Sequence, residues 1–83
     1  ALRMWKEQDD KLVREYHFRN FVDAFSFLSH VAELAEIHGH HPTIVNTYSY
    51  VRLELNTHDA GGVVTEKDRS LSVDIDKINI TER

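Results

Sequence analysis

Apolar residues change their period along this chain, and each change marks an element. Leu12, Tyr16 and Phe18 fall on one face of a two-residue repeat, which predicts a strand. The segment RMWKEQDDKLVREYHF, from Arg3, reads as a hairpin with its turn at Gln8-Asp9-Asp10. From Phe21 the period becomes helical. Phe21, Ala24, Phe25, Leu28, Ala32 and Ala35 form one stripe, and Phe27, Val31 and Leu34 form a second. Asn20 is placed to cap this helix, with Asp23 three residues on in a capping-box-like pair, and Gly39 fits its stop position. Two stripes exceed what one sheet contact needs, so the helix is expected to be deeply buried or to meet another subunit.

After Pro42, TIVNTY and SYVRLELNT are rich in β-branched and aromatic residues. They predict two strands joined tightly near Tyr48-Ser49. Val51, Leu53 and Leu55 alternate with Tyr50, Arg52, Glu54, Asn56 and His58, so extended geometry carried to the end would set His58 on the polar face. DAGG is a loop. Thr65 then caps a last helix, with Asp68 at its third position, and Leu71, Ile75 and Ile78 form the apolar stripe, on the face that Asp68 shares. The order is β-β-α-β-β-α. The fold class is α+β: a two-layer sandwich of a four-stranded antiparallel sheet with two helices packed on one face.

The 83 residues, read as one domain spanning 1–83, show no internal repeat. Such a short chain builds a thin core, and oligomerisation would add buried surface. With no cysteine, neither disulfides nor thiolate metal sites are available. A net charge of −4 argues against direct nucleic-acid binding. No segment approaches the ~20 apolar residues of a membrane span, and no secretory signal is visible. The expectation is an intracellular, cytoplasmic domain. The chain begins at Ala1 without a methionine, as a fragment would.

Histidine changes the picture. Six are present, and His38, His40, His41 and His58 lie within 21 positions. Histidine titrates near neutrality and binds metals without sulfur. The spacing matches neither a helical HExxH pair nor a zinc finger. His40 and His41 follow the negative end of a helix dipole, and Pro42 restricts His41 to extended backbone angles. Two imidazoles on a stiff loop, with a third from a strand end, suit a reaction that adds one proton and removes another without a cofactor. Taken singly, each histidine also has an ordinary structural reading. His17 and His30 are placed in that class, His38 is a last-turn residue favoured by the dipole, Glu36 is a solvated helix residue and Asp68 caps its own helix.

The ordered set is more specific than any member. Glu36, three residues, His40-His41-Pro42, five residues, Tyr48, nine residues, His58, nine residues, Asp68 closely resembles the motif of the pterin-4a-carbinolamine dehydratases. VAELAE, THDAGG and TEKD are also similar to that family, and the likeness runs over roughly residues 5 to 78. Two departures stand out. Ile44 occupies a position where many relatives have Trp, and GGVVTEKD is one residue longer than the commonest spacing to the aspartate.

The resemblance implies a metal-independent hydro-lyase with no cofactor. It would turn 4a-hydroxy-tetrahydropterin into quinonoid dihydropterin and water, in tetrahydrobiopterin recycling. It implies His40 and His58 as the acid/base pair, with His41 completing the catalytic histidines mainly by binding and orienting the pterin. Glu36, His40, His41, Pro42, His58 and Asp68 would bind substrate, with Glu36 at the rim and Asp68 orienting a histidine or touching the pocket. Pro42 and Tyr48 would be architectural, Tyr48 with the alternative of lining the site. A homodimer or homotetramer is implied, with no membrane partner. The alternative reading is a protein-interaction module serving as dimerisation cofactor of a transcription factor, a partner and a nuclear location that would follow from animal origin.

Overall fold

A computed structural model describes residues 4–83; Arg3, where the expected hairpin begins, lies outside them. Strands β1 (Lys6–Gln8) and β2 (Lys11–His17) are followed by helix α1 (Phe21–His38), strands β3 (Thr43–Thr47) and β4 (Tyr50–Leu55), and helix α2 (Glu66–Ile75). The sheet order is β1-β2-β4-β3, antiparallel throughout.

The first turn is tighter than expected. Gln8 closes β1 opposite Lys11, and only Asp9 and Asp10 turn, at φ 52° and 60°. Two consecutive positive φ values match the right-handed twist of a hairpin, and aspartate tolerates them better than most residues. Leu12, Tyr16 and Phe18 are buried as expected. Val13, on the other face, is buried too. It stands in register with Lys6 and Glu54, beside the Lys11–Glu54 and Arg52–Glu54 ion pairs, whose long side chains cover that face. Arg14 lies between Leu12 and Tyr16 on the core side, its guanidinium 4.4 Å from the Tyr16 ring centre and paired with Asp76 at 2.9 Å.

Asn20 caps α1 by accepting the Asp23 N–H at 2.8 Å. Asp23 answers Arg19 rather than the cap, with Arg19 Nε donating at 3.0 Å. The buried stripe of α1 is Ala24, Phe27, Leu28, Val31 and Ala35, and its first four residues meet Leu12, Tyr16, Val51, Leu53 and Leu55 of the sheet and Leu71 and Ile75 of α2 in one cluster. Both helices therefore cover the same face. Leu34 packs partly buried against this core, whereas Phe21, Val22, Phe25 and Ile37 point away and are exposed. α2 ends at Ile75, one turn before the expected stripe does, but Ile78 still packs against the core.

Candidate active site

The path of the chain out of α1 sets His40. Gly39 adopts φ 60°, where a Cβ would be strained, and its N–H bonds the Glu36 carbonyl at 3.2 Å. The His40 N–H reaches back to the Ala35 carbonyl at 3.1 Å. This is the six-to-one bond of a Schellman cap, so His40 is held by its own backbone to the end of the helix. Pro42 and Thr43 then lead into β3.

The His40 ring meets the start of α2. Its Nε2 lies 2.5 Å from Asp68 Oδ1. Asp68 has no exposed surface, and its other oxygen, Oδ2, accepts the Thr65 N–H at 2.8 Å and the Thr57 hydroxyl at 2.8 Å. Thr57 Oγ1 is also 2.6 Å from Thr65 Oγ1. Burial pushes the Asp68 carboxyl up, but the bonds from His40, Thr65 and Thr57 outweigh it and hold the group below the usual carboxylate range. An ionised carboxylate only accepts, so the shared proton sits on His40 Nε2 and leaves Nδ1 for other work. Thr65 and Asp68 form a capping box that locks the first turn of α2.

His58 departs from expectation. β4 ends at Leu55, and Thr57 makes an isolated bridge with Val63. Alternation stops there, and His58 instead opens a short 3₁₀ turn, His58–Ala60. Its ring is exposed and has no side-chain hydrogen bond among the described residues. The register still brings its loop to the end of the sheet where α1 hands over to β3. Thr43 pairs with Glu54, so the loop carrying His40 and His41 enters the sheet at the end where β4 leaves toward His58. The N-terminus of α2 joins them through the Thr57–Thr65–Asp68 bonds.

His41 bonds Glu36 across the helix end, Nε2 to Oε2 at 2.5 Å, with both side chains mostly exposed. Pro42 is half-buried beside them. Tyr48 is elsewhere. It turns the β3–β4 hairpin at φ 51°, at the far end of five extended residues, roughly 16 Å from Pro42. That leaves it an architectural place, away from these histidines. His38 is not simply a dipole-satisfied residue: its Nε2 is 2.7 Å from Asp74 Oδ2 on α2. With His40, Glu66, Lys67 and Ser70 it lines a groove of about 290 Å³. Among the described residues no three His, Asp or Glu side chains gather as a metal-binding group.

Sequence reasoning missed Thr57, which is buried beneath the site. The signal was present. Continuing Val51, Leu53 and Leu55 by two sets Thr57 inward, and a hydroxyl at an inward position asks for a buried partner.

The family model described as pterin 4 alpha carbinolamine dehydratase matches residues 1–78. A Chloroflexus aurantiacus protein with the provisional name pterin-4-alpha-carbinolamine dehydratase is 50% identical over 74 residues, covering 89% of this chain and 78% of its own. A similarly named protein of Thermomicrobium roseum is 52% identical over 68 residues, covering 82% and 72%. A Brucella melitensis structure, described as a transcriptional coactivator/pterin dehydratase, superposes with TM-score 0.81 at 33% identity, over 92% of this chain and 82% of that one. A pterin dehydratase-like protein identified as a RuBisCO assembly factor in the alpha-carboxysome superposes at 0.74 with 26% identity, over 89% and 87%. On the motif, the fold and these matches, the chain belongs to the pterin-4-alpha-carbinolamine dehydratase family.

Proposed function

We propose that this protein, acting as one domain per subunit, dehydrates a 4a-hydroxy-tetrahydropterin to quinonoid dihydropterin. The C4a–O bond breaks, the hydroxyl takes a proton and leaves as water, and the N5 proton passes to a base. His40, through Nδ1, and His58 share these two transfers; the C4a stereoisomer decides which histidine faces the leaving hydroxyl. His41 binds and orients the pterin, with Pro42 and Glu36 at the rim. Asp68 fixes the His40 ring. Each step is a proton transfer between imidazole and substrate, so the reading needs neither metal nor cofactor. The physiological setting is tetrahydrobiopterin recycling in the cytoplasm. The observation that carries the proposal is the buried Asp68–His40 pair at the sheet end from which the His58 loop departs.

The test is the dehydration rate of freshly generated 4a-hydroxy-tetrahydropterin, with and without EDTA, for wild type and the His40→Ala/His58→Ala double variant. Acceleration that ignores EDTA and falls by ~10²–10⁴-fold in the variant supports the reading. A folded wild type no faster than buffer overturns it.

A second reading has its own observation: Phe21, Val22 and Phe25 expose apolar surface along α1. That surface suits a homodimer or homotetramer, and would equally serve a protein partner such as a transcription factor. Partner capture that survives loss of all three histidines is the result that would favour an interaction module.

A further inference from the structure

We infer that Thr57 is a positioning residue that sets the proton of His40 and the stance of His58 together; the inference rests on the dehydratase reading above. Thr57 is 6% exposed, in a chain whose other buried polar side chains are Asp68 and Ser72 among the described residues. Its hydroxyl lies 2.8 Å from Asp68 Oδ2 and 2.6 Å from Thr65 Oγ1. The direction of these bonds follows from chemistry. A carboxylate only accepts, so Thr57 spends its one proton on Asp68, and Thr65 must donate to the Thr57 oxygen. The chain of donors therefore runs Thr65 to Thr57 to Asp68, and Asp68 Oδ1 receives the Nε2 proton of His40 from the other side.

The backbone of Thr57 does a second job. Its N–H bonds the Val63 carbonyl at 2.9 Å, and its carbonyl accepts from Gly62 at 3.0 Å and Ala60 at 3.1 Å. Main chain and side chain are thus both anchored one residue before His58. His40 and His58 lie 18 positions apart. Through Thr57 their supports become one unit. Removing the hydroxyl withdraws one of the three donors on Asp68 and strands the Thr65 proton. Asp68 then loses one of the bonds that aim its Oδ1 at Nε2, and the alternative tautomer, with the proton on Nδ1, becomes accessible.

The experiment reads the ring directly. Protein with ¹⁵N-labelled histidine is examined by long-range ¹H–¹⁵N correlation at about pH 8.5, above the ordinary imidazole range. Wild-type His40 should carry its proton on Nε2 alone. Thr57→Val, which keeps the shape, should show mixed tautomers and lose about tenfold or more in kcat with little change in KM. Thr57→Ser should restore both. Thr57→Cys, a weaker donor of similar shape, should fall between and serves where the valine variant does not fold. A wild-type ring protonated on Nδ1, or variants with unchanged tautomer and kcat, overturns the inference. A Thr57-dependent tautomer in a protein without dehydratase activity supports the positioning role and removes the functional reading alone.

Discussion

The Nε2 of His40 stands 2.5 Å from Oδ1 of Asp68, joining the cap of α1 to the first turn of α2 between residues 28 apart in sequence. The carboxylate has no exposed surface, so its partners, not water, decide its state. Asp68→Asn replaces an acceptor with an amide. One amide face must then present N–H groups either to His40 Nε2–H or to the Thr57 and Thr65 donors. The expected outcome is a loss of ~10²-fold or more in kcat. A destabilisation of about 1–3 kcal/mol should accompany it. Steady-state kinetics and urea unfolding check the two effects separately.

The same carboxylate gives the protein an acid limit. Burial raises the Asp68 pKa, but hydrogen bonds from His40, Thr65 and Thr57 bring it below its unfolded value. A group with a lowered folded pKa stabilises above the unfolded value, about 3.9, and loses that contribution as pH falls toward the folded one. Glu54, lowered chiefly by its Lys11 bond, and Asp74, lowered chiefly by its His38 bond, act with the same sign. The urea midpoint should therefore fall as pH drops below about 4. Asp68→Asn should show a smaller fall over the same range, and an identical fall would show that Asp68 contributes nothing to it.

Glu36 and His41 should behave differently from the buried pair. Their bond is largely exposed, and exposed ion pairs contribute about 0–1 kcal/mol. Glu36→Gln should change kcat/KM by less than about fivefold. His41→Ala should raise KM more than it lowers kcat if, as proposed, it binds and orients the pterin. A kcat loss as large as that of His40→Ala would assign His41 a proton-transfer role instead.

β3 is an open sheet edge. Thr43–Thr47 carries no charge, and Ile44 and Val45 are 44% and 40% exposed on its opposite faces. Such an edge invites pairing unless something covers it, and lysine is an effective block. Sedimentation should show a dimer or tetramer for wild type and a smaller species for Val45→Lys, with circular dichroism unchanged. A monomeric wild type would remove the oligomer from the proposal.

Ordinary packing should account for stability elsewhere. Leu53 is fully buried at the centre of β4, so Leu53→Ala should cost about 2–5 kcal/mol. Asn20→Ala removes the cap acceptor for Asp23 N–H and should cost about 1 kcal/mol. Thermal unfolding of the two variants should rank them in that order.

Much of this was legible in the chain. Two-residue and helical repeats, a hairpin turn and a β-branched run together marked six strands and helices in order, because these signals are set within each element. Asn20, Gly39 and Thr65 marked helix ends, because caps answer purely local needs for hydrogen bonds. The resemblance carried by the spacing from Glu36 to Asp68 marked the candidate site as a set. What the sequence left open depends on contacts between elements. The outward turn of Phe25 and the burial of Val13 follow from which stripe docks and which neighbours cover it. The end of β4 at Leu55 cut the alternation that would have aimed His58. Periodicity within one element cannot see the bond from Thr57 to Asp68, 11 residues away, or from Asp68 to His40. Only packing α2 against the end of the sheet removes water from that carboxylate and leaves its protein donors to decide where the His40 proton lies.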